Sequence, residues 1–147
     1  MAAERVYTAK ALLLNPENKI LVLRSSKWDA RPDRSHKPDF PGGIVEEGET
    51  PTVGLVREVS EEAGIAIAES DLVLLYTETK FHQVTHDSVT KHLFFARTET
   101  SDVTLSWEHE AYEWLDFESV LTLEWRPFHQ DALDYIKLHS LLDEFTS

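Results

Sequence analysis

Glu58, Glu61 and Glu62 stand at i, i+3 and i+4, the spacing that makes three side chains neighbours on one side of a helix. Each like-charge pair placed there costs roughly 0.2–0.5 kcal/mol. A hard divalent cation relieves such a spot, because Mg²⁺ and Mn²⁺ take oxygen donors. The chain has no cysteine, so thiolate metal sites and thiol nucleophiles are excluded. Taken alone, three such carboxylates describe a solvated helix face rather than a site. Their surroundings decide the matter.

Those surroundings begin with the helix itself. Thr50-Pro51 supplies a capping hydroxyl and then a proline at the first helical position, where its missing N–H is harmless. The helix is expected to run to Ala63 and stop at Gly64. On a wheel of about 100° per residue, Leu55, Val56, Val59 and Ala63 share one arc and the three glutamates lie opposite. Gly54 falls on the acidic face, one turn before Glu58, where a bare backbone is expected to leave room for a ligand. Strands are expected over Val6–Leu14 and Lys19–Arg24, joined as a hairpin by Asn15-Pro16-Glu17-Asn18. A long polar loop then leads to Asp39-Phe40-Pro41-Gly42-Gly43. Further strands follow at Leu72–Lys80, Val89–Thr98 and Ala111–Leu115. A second helix starts at Arg126-Pro127, with an apolar stripe of Phe128, Ala132, Tyr135, Ile136, Leu138, Leu142 and Phe145. Strands mixed with one early and one C-terminal helix predict an α/β sandwich.

Read from Gly43, the chain runs Gly43, five residues, Glu49, seven residues, then Arg57-Glu58-Val59-Ser60-Glu61-Glu62-Ala63-Gly64-Ile65. Every specified position resembles the signature of the Nudix hydrolases. The resemblance covers Gly43 to Ile65 directly, and the order of elements outside it is compatible over the whole chain. It implies an α/β/α sandwich with a mixed sheet, in one domain over residues 1–147, that hydrolyses a nucleoside diphosphate linked to another moiety with Mg²⁺ or Mn²⁺. By the same resemblance, Glu58, Glu61 and Glu62 are metal ligands, one of them also handling water. Gly42 matches the position whose carbonyl completes the site, and Glu49 and Arg57 brace the loop against the helix, with Gly43 and Gly64 as structural supports. Glu108 and Glu110 sit in a Glu-His-x-x-Tyr-x-Trp stretch, Glu108 to Trp114, similar to that of family members acting on diadenosine polyphosphates. Glu108 is a candidate further ligand, and Glu110 a candidate substrate contact.

Composition sets the limits. The chain has 147 residues, 41% apolar and 28% charged, with a formal net charge of −13. That is one domain's worth of globular sequence. Such acidity argues against wrapping nucleic acid, whose binding is dominated by cations meeting phosphates. The segment from Arg24 to Asp39 runs the other way, with five basic residues (Arg24, Lys27, Arg31, Arg34, Lys37) against three acids. Arg24, Lys27, Arg31 and Lys37 are candidate phosphate contacts, and Trp28 a candidate stacking surface for a base. His82, His86 and His92 have no diagnostic ligand spacing and read as surface or strand-packing residues. The longest apolar run, Leu72 to Tyr76, is far short of the roughly twenty residues of a membrane helix. Met1 to Arg5 lacks a signal peptide's pattern, and the lack of cysteine fits a reducing cytoplasm.

The resemblance implies a small nucleotide or nucleoside diphosphate derivative as partner, no membrane is expected, and a homodimer is compatible with the sequence. Subfamily signatures for coenzyme A and ADP-ribose fail, with Asp29 and Asp33 or Thr79 and Lys80 at the diagnostic places, and the diadenosine type's tyrosine is missing at Lys80 to His82 although its later Glu-His stretch is present. A nucleoside triphosphate or related nucleotide leads. A diadenosine polyphosphate, or binding without cleavage, are the alternatives. An isomerase on this fold would need a cysteine that the chain lacks.

Overall fold

The computed structural model describes residues 3–33 and 35–146. Arg34, one of the five basic residues counted above, lies outside them, as do Met1, Ala2 and Ser147. Among the described residues, seven strands form one mixed sheet. They are β1 (Arg5–Leu14), β2 (Ile20–Ser25), β3 (Pro38–Asp39), β4 (Gly42–Ile44), β5 (Val73–Phe81), β6 (Ser88–Arg97) and β7 (His109–Leu115). The main path runs β3-β2-β1-β6-β5, with β4 paired to β1 and β7 to β2. β1 and β6 pair in parallel, from Arg5 opposite Ser88 to Leu14 opposite Arg97, and the other pairings are antiparallel.

Alternation along β1 feeds both faces, because successive strand residues point to opposite sides. Ala9, Ala11 and Leu13, with Leu21 and Leu23 of β2, pack against Leu55, Val59 and Ala63 of α1 (Pro51–Ala63). Leu12, Leu14, Ile20 and Val22 pack on the other face against Phe128, Ala132, Leu133 and Ile136 of the C-terminal helix (Pro127–Leu138). Each fully buried leucine or valine is worth about 1.5–3 kcal/mol, so the two helices are clamped from opposite sides of one sheet. This is the expected α/β/α sandwich.

α1 begins and ends where its sequence says. The Thr50 side chain accepts a bond from the Val53 amide, and Gly64 takes the left-handed conformation at the C-cap. The chain end differs from expectation. A five-residue helix, α2 (Phe117–Leu121), precedes the C-terminal helix α3 (Pro127–Leu138), capped by the Asp116 carboxylate on the Ser119 amide. α3 does not continue to Phe145: the chain turns at Ser140, with φ of 50°, before the short α4 (Asp143–Thr146). That turn folds Leu142 back into the core and stacks Phe145 on Phe95. It also leaves Leu138 exposed, and the buried stripe of α3 includes Leu133 and His129, which the apolar periodicity omitted.

Candidate functional site

The Gly42–Gly43 turn is the floor on which the acidic helix rests. β4 lies antiparallel to β1, with Lys10 opposite Gly42 and Ala9 opposite Gly43. Gly42 has φ of +136°, and a Cβ there would fall 2.1 Å from the Ala9 carbonyl oxygen, so no other residue fits. A Cβ at Gly43 would lie 3.0 Å from the Glu58 carboxylate. The bare backbone of Gly43 is thus the wall against which Glu58 packs.

The three glutamates do not share one solvated face, as the wheel implied. Glu61 is largely exposed, Glu58 is mostly covered, and Glu62 is buried at 3% exposure. The reason is the turn and the strands around it: Glu62 Oε2 accepts the Gly42 amide at 2.9 Å, under the cover of β1 and β4. Burial pushes the Glu62 carboxyl up to about 8, while Lys10 and the Gly42 amide pull against that shift. Burial also raises the Glu58 carboxyl, with negative charge from Glu61 and Glu108 acting in the same direction and Arg57 opposing.

Arg57 organises the rest. Its guanidinium meets Glu49 through two bonds, Nε to Oε2 at 2.9 Å and Nη2 to Oε1 at 3.0 Å. Such forked pairs fix direction as well as charge. Nη2 also reaches the Ile44 carbonyl at 3.3 Å, which ties the helix to β4. Nη1 stands between Glu58 Oε1 at 3.1 Å and Glu61 Oε2 at 3.2 Å. Those two carboxylates converge on one positive atom. Among the described residues no group of three or more acidic or histidine side chains stands arranged to hold a metal ion. Glu49 is held below the usual carboxylate range by Arg57 first and by the Glu46 amide second. Gly54 does not open space for a ligand: a Cβ there would press on Glu49 Oε1 at 3.1 Å and on Val45, so the glycine admits the bracing loop instead.

The basic loop divides. Lys27 pairs with Asp29 and Arg31 with Asp33, all with well-exposed side chains. Trp28 is half-exposed, and its amide donates to Ser35 Oγ. Arg24 and Lys37 are brought together instead, in a cleft of about 440 Å³ with Ser35, His36, Thr122 and Glu124. Arg24 donates to the His36 carbonyl, and His36 Nδ1 contacts Glu110. Pro38, on that cleft's wall, is four residues from Gly42. Glu108 is exposed, near enough to Glu58 to raise its carboxyl.

Behind the turn lies a cluster that sequence reasoning missed. Asp39, 6% exposed, accepts from Lys10 Nζ at 3.0 Å, from the Phe40 amide at 2.8 Å and bonds His129 Nε2 at 2.7 Å, with Arg126 at 3.5 Å. Lys10, Arg126 and His129 hold its carboxyl well below the ordinary range, overcoming the effect of burial. Lys10 also donates to the Gly42 carbonyl at 3.2 Å. The available signal was a lysine between two alanines, Ala9-Lys10-Ala11, just before the run Leu12-Leu13-Leu14.

Comparison with known proteins bears on the family and the fold. A profile of the NUDIX domain matches residues 4–136. The 8-oxo-dGTP diphosphatase of Proteus vulgaris is 29% identical over 119 residues, spanning 77% of this chain and 88% of that protein. The crystal structure of the MutT protein from Methanosarcina mazei Go1 is 27% identical, with a TM-score of 0.76 over 95% of this chain and 98% of that one. A C. elegans Ap4A hydrolase, solved as a binary complex, has a TM-score of 0.66 at 22% identity over 92% of this chain and 98% of its own, a likeness of fold. With the domain profile spanning most of its length, the chain belongs to the Nudix hydrolase family of pyrophosphohydrolases.

Proposed function

We propose that this enzyme hydrolyses a phosphoanhydride bond of a nucleoside triphosphate or related nucleotide, using Mg²⁺ or Mn²⁺ held by Glu58, Glu61, Glu62 and the Gly42 carbonyl. The observation that carries this reading is the convergence of Glu58 and Glu61 on the single cationic atom Arg57 Nη1, with buried Glu62 set on the Gly42 amide behind them. The donors are oxygen throughout, which suits a hard cation. A bound divalent ion supplies charge neutralisation for the phosphate oxygens and acidifies water.

The chain's own groups do the rest. Arg57 and Glu49 fix the helix against the loop, and Gly43 leaves Glu58 room to reach the anhydride. Glu108 adds a carboxylate on the exposed side, close enough to act on Glu58. Arg24 and Lys37 meet phosphates beyond the cleaved bond, at the cleft four residues upstream of Gly42. His36 and Glu110 position that pair, while Lys27, Arg31 and Trp28 lie further out as contacts for the distal part of the substrate. The identity to the Proteus vulgaris diphosphatase favours a triphosphate. The Glu108–Trp114 stretch carries the second reading, a diadenosine polyphosphate. The cytoplasm is the expected setting, and no helix among the described residues is long and apolar enough to cross a membrane.

The test is phosphate or pyrophosphate release with Mg²⁺ across a panel of nucleoside triphosphates, an oxidised guanine triphosphate and diadenosine polyphosphates. Turnover is expected on at least one, and Glu61→Gln or Glu58→Gln should lower kcat about 100-fold or more. Full activity in either variant rejects the assigned site. Tight nucleotide binding with no turnover on any substrate points to a binding module.

A further inference from the structure

We infer that Lys10 is a positioning residue that holds the Gly42 carbonyl where the proposed metal site needs it, with Asp39 as its anchor. The inference rests on the proposed reading of Gly42 as a donor. Lys10 is mid-strand, mostly covered, and its ammonium spans two partners: Asp39 Oδ2 at 3.0 Å and the Gly42 carbonyl at 3.2 Å. Both ends of Gly42 are therefore gripped, its amide by Glu62 and its carbonyl by Lys10. The Glu62 bond holds the peptide before Gly42, whereas the carbonyl belongs to the Gly42–Gly43 peptide, which is held by the pairing of Gly43 with Ala9 and, at the oxygen itself, by Lys10.

Lys10 is itself held in place. Asp39 is buried, and its other oxygen is taken by His129 Nε2 and the Phe40 amide, so its carboxylate cannot swing away from the ammonium. His129 stacks on Trp125, which stacks on Phe40. The first turn of α3 is in this way joined through Asp39 and Lys10 to the backbone oxygen offered to a cation. A lysine used only to balance Asp39 would not need to reach the turn, since Arg126 and His129 already face that carboxylate.

Two roles for this ammonium predict opposite results. A charge that only sits near the site repels an incoming cation, so its loss tightens binding. A positioning group loses the carbonyl's aim when removed, so binding weakens; groups that orient metal ligands are typically worth about 10–100-fold in affinity. The experiment is Mn²⁺ calorimetry on the whole chain stripped of metal, comparing wild type, Lys10→Met and Lys10→Arg, with circular dichroism as the check on folding. Positioning predicts about tenfold weaker Mn²⁺ binding in Lys10→Met, with Lys10→Arg recovering a large part. It also predicts a moved carbonyl ¹³C resonance for Gly42 in metal-free Lys10→Met. Binding as tight as wild type or tighter, or an unmoved resonance, overturns the inference. If Lys10→Met does not fold, Lys10→Gln takes its place with the same expectations. Wild type that binds no Mn²⁺ refutes the metal site proposed above, and this inference with it. Wild type that binds while the variant binds equally refutes this inference alone.

Discussion

Asp39 and Glu62 are both buried carboxyl groups, 6% and 3% exposed, on either side of the same glycine turn. Their surroundings differ in sign. Asp39 faces Lys10, Arg126 and His129 and is held ionised far below its ordinary range. Glu62 has one amide and the more distant Lys10 against the charges of Asp39 and Glu58, and burial drives it up to about 8. Removing a charge from water is expensive unless partners compensate. Asp39 is compensated by the protein alone, whereas the Glu62 side is left short of positive charge. The first arrangement belongs to architecture, and the second lies where the proposed cation would add the missing positive charge.

Asp39→Asn keeps the shape and leaves Lys10 and Arg126 without their counter-charge, so it should cost about 3–5 kcal/mol of unfolding free energy. Glu62→Gln at pH 8 removes an under-compensated charge and should cost nothing or stabilise. Urea midpoints of the two variants decide it. A small cost at Asp39 together with a large one at Glu62 would reverse the contrast.

The two carboxyls also differ in how far the sequence disclosed them. α1, with its cap at Thr50, its stop at Gly64 and the ordered glutamates between, was legible because caps and helical spacing are local chemistry. The pairing of Arg57 with Glu49 was legible only through the family resemblance, and the structure shows the two joined eight residues apart. Burial of Glu62 was not, because a helical wheel knows nothing of the turn that covers it. The Asp39 cluster was less legible still. Lys10 is 29 residues away in sequence and His129 is 90, so only the closed sheet brings them together. The same holds for the break after α3, where Ser140 redirects an apolar stripe that looked continuous.

A sharper measure is pH. A carboxyl raised from 4.5 to about 8 binds its proton more tightly when folded, so the contribution of Glu62 to the stability of metal-free protein should fall as pH rises from about 5 to 8. The slope from Glu62 is at most about 1.4 kcal/mol per pH unit. Asp39 adds no slope in that window, because its contribution is lost only in stronger acid, as pH falls toward its lowered folded value. His109 and His129, both lowered by burial, act the other way below about 6.5: the unfolded chain binds the proton there, so stability rises with pH. The difference between wild type and Glu62→Gln isolates the glutamate. Melting curves with a chelator present should show that difference widening in favour of the variant as pH rises, and parallel curves would remove Glu62 from the contrast.

The smallest expected effect is the most discriminating. At Mg²⁺ ten times its dissociation constant, binding linkage stabilises the folded state by about 1.4 kcal/mol, worth about 3–6 °C in Tm for a chain of this size. Salt alone also raises the stability of a protein at −13, because it screens the repulsion among surface charges. NaCl at matched ionic strength separates the two contributions. Screening acts on exposed charge such as Glu61 and hardly reaches a carboxylate under the Gly42 turn, whereas a cation coordinated beside that turn compensates Glu62 directly. The Mg²⁺ shift should therefore exceed the NaCl shift in wild type, and the excess should disappear in Glu62→Gln. An equal response to both salts would mean that the acidic helix is merely screened, and that the two buried carboxyls differ in degree of compensation but not in purpose.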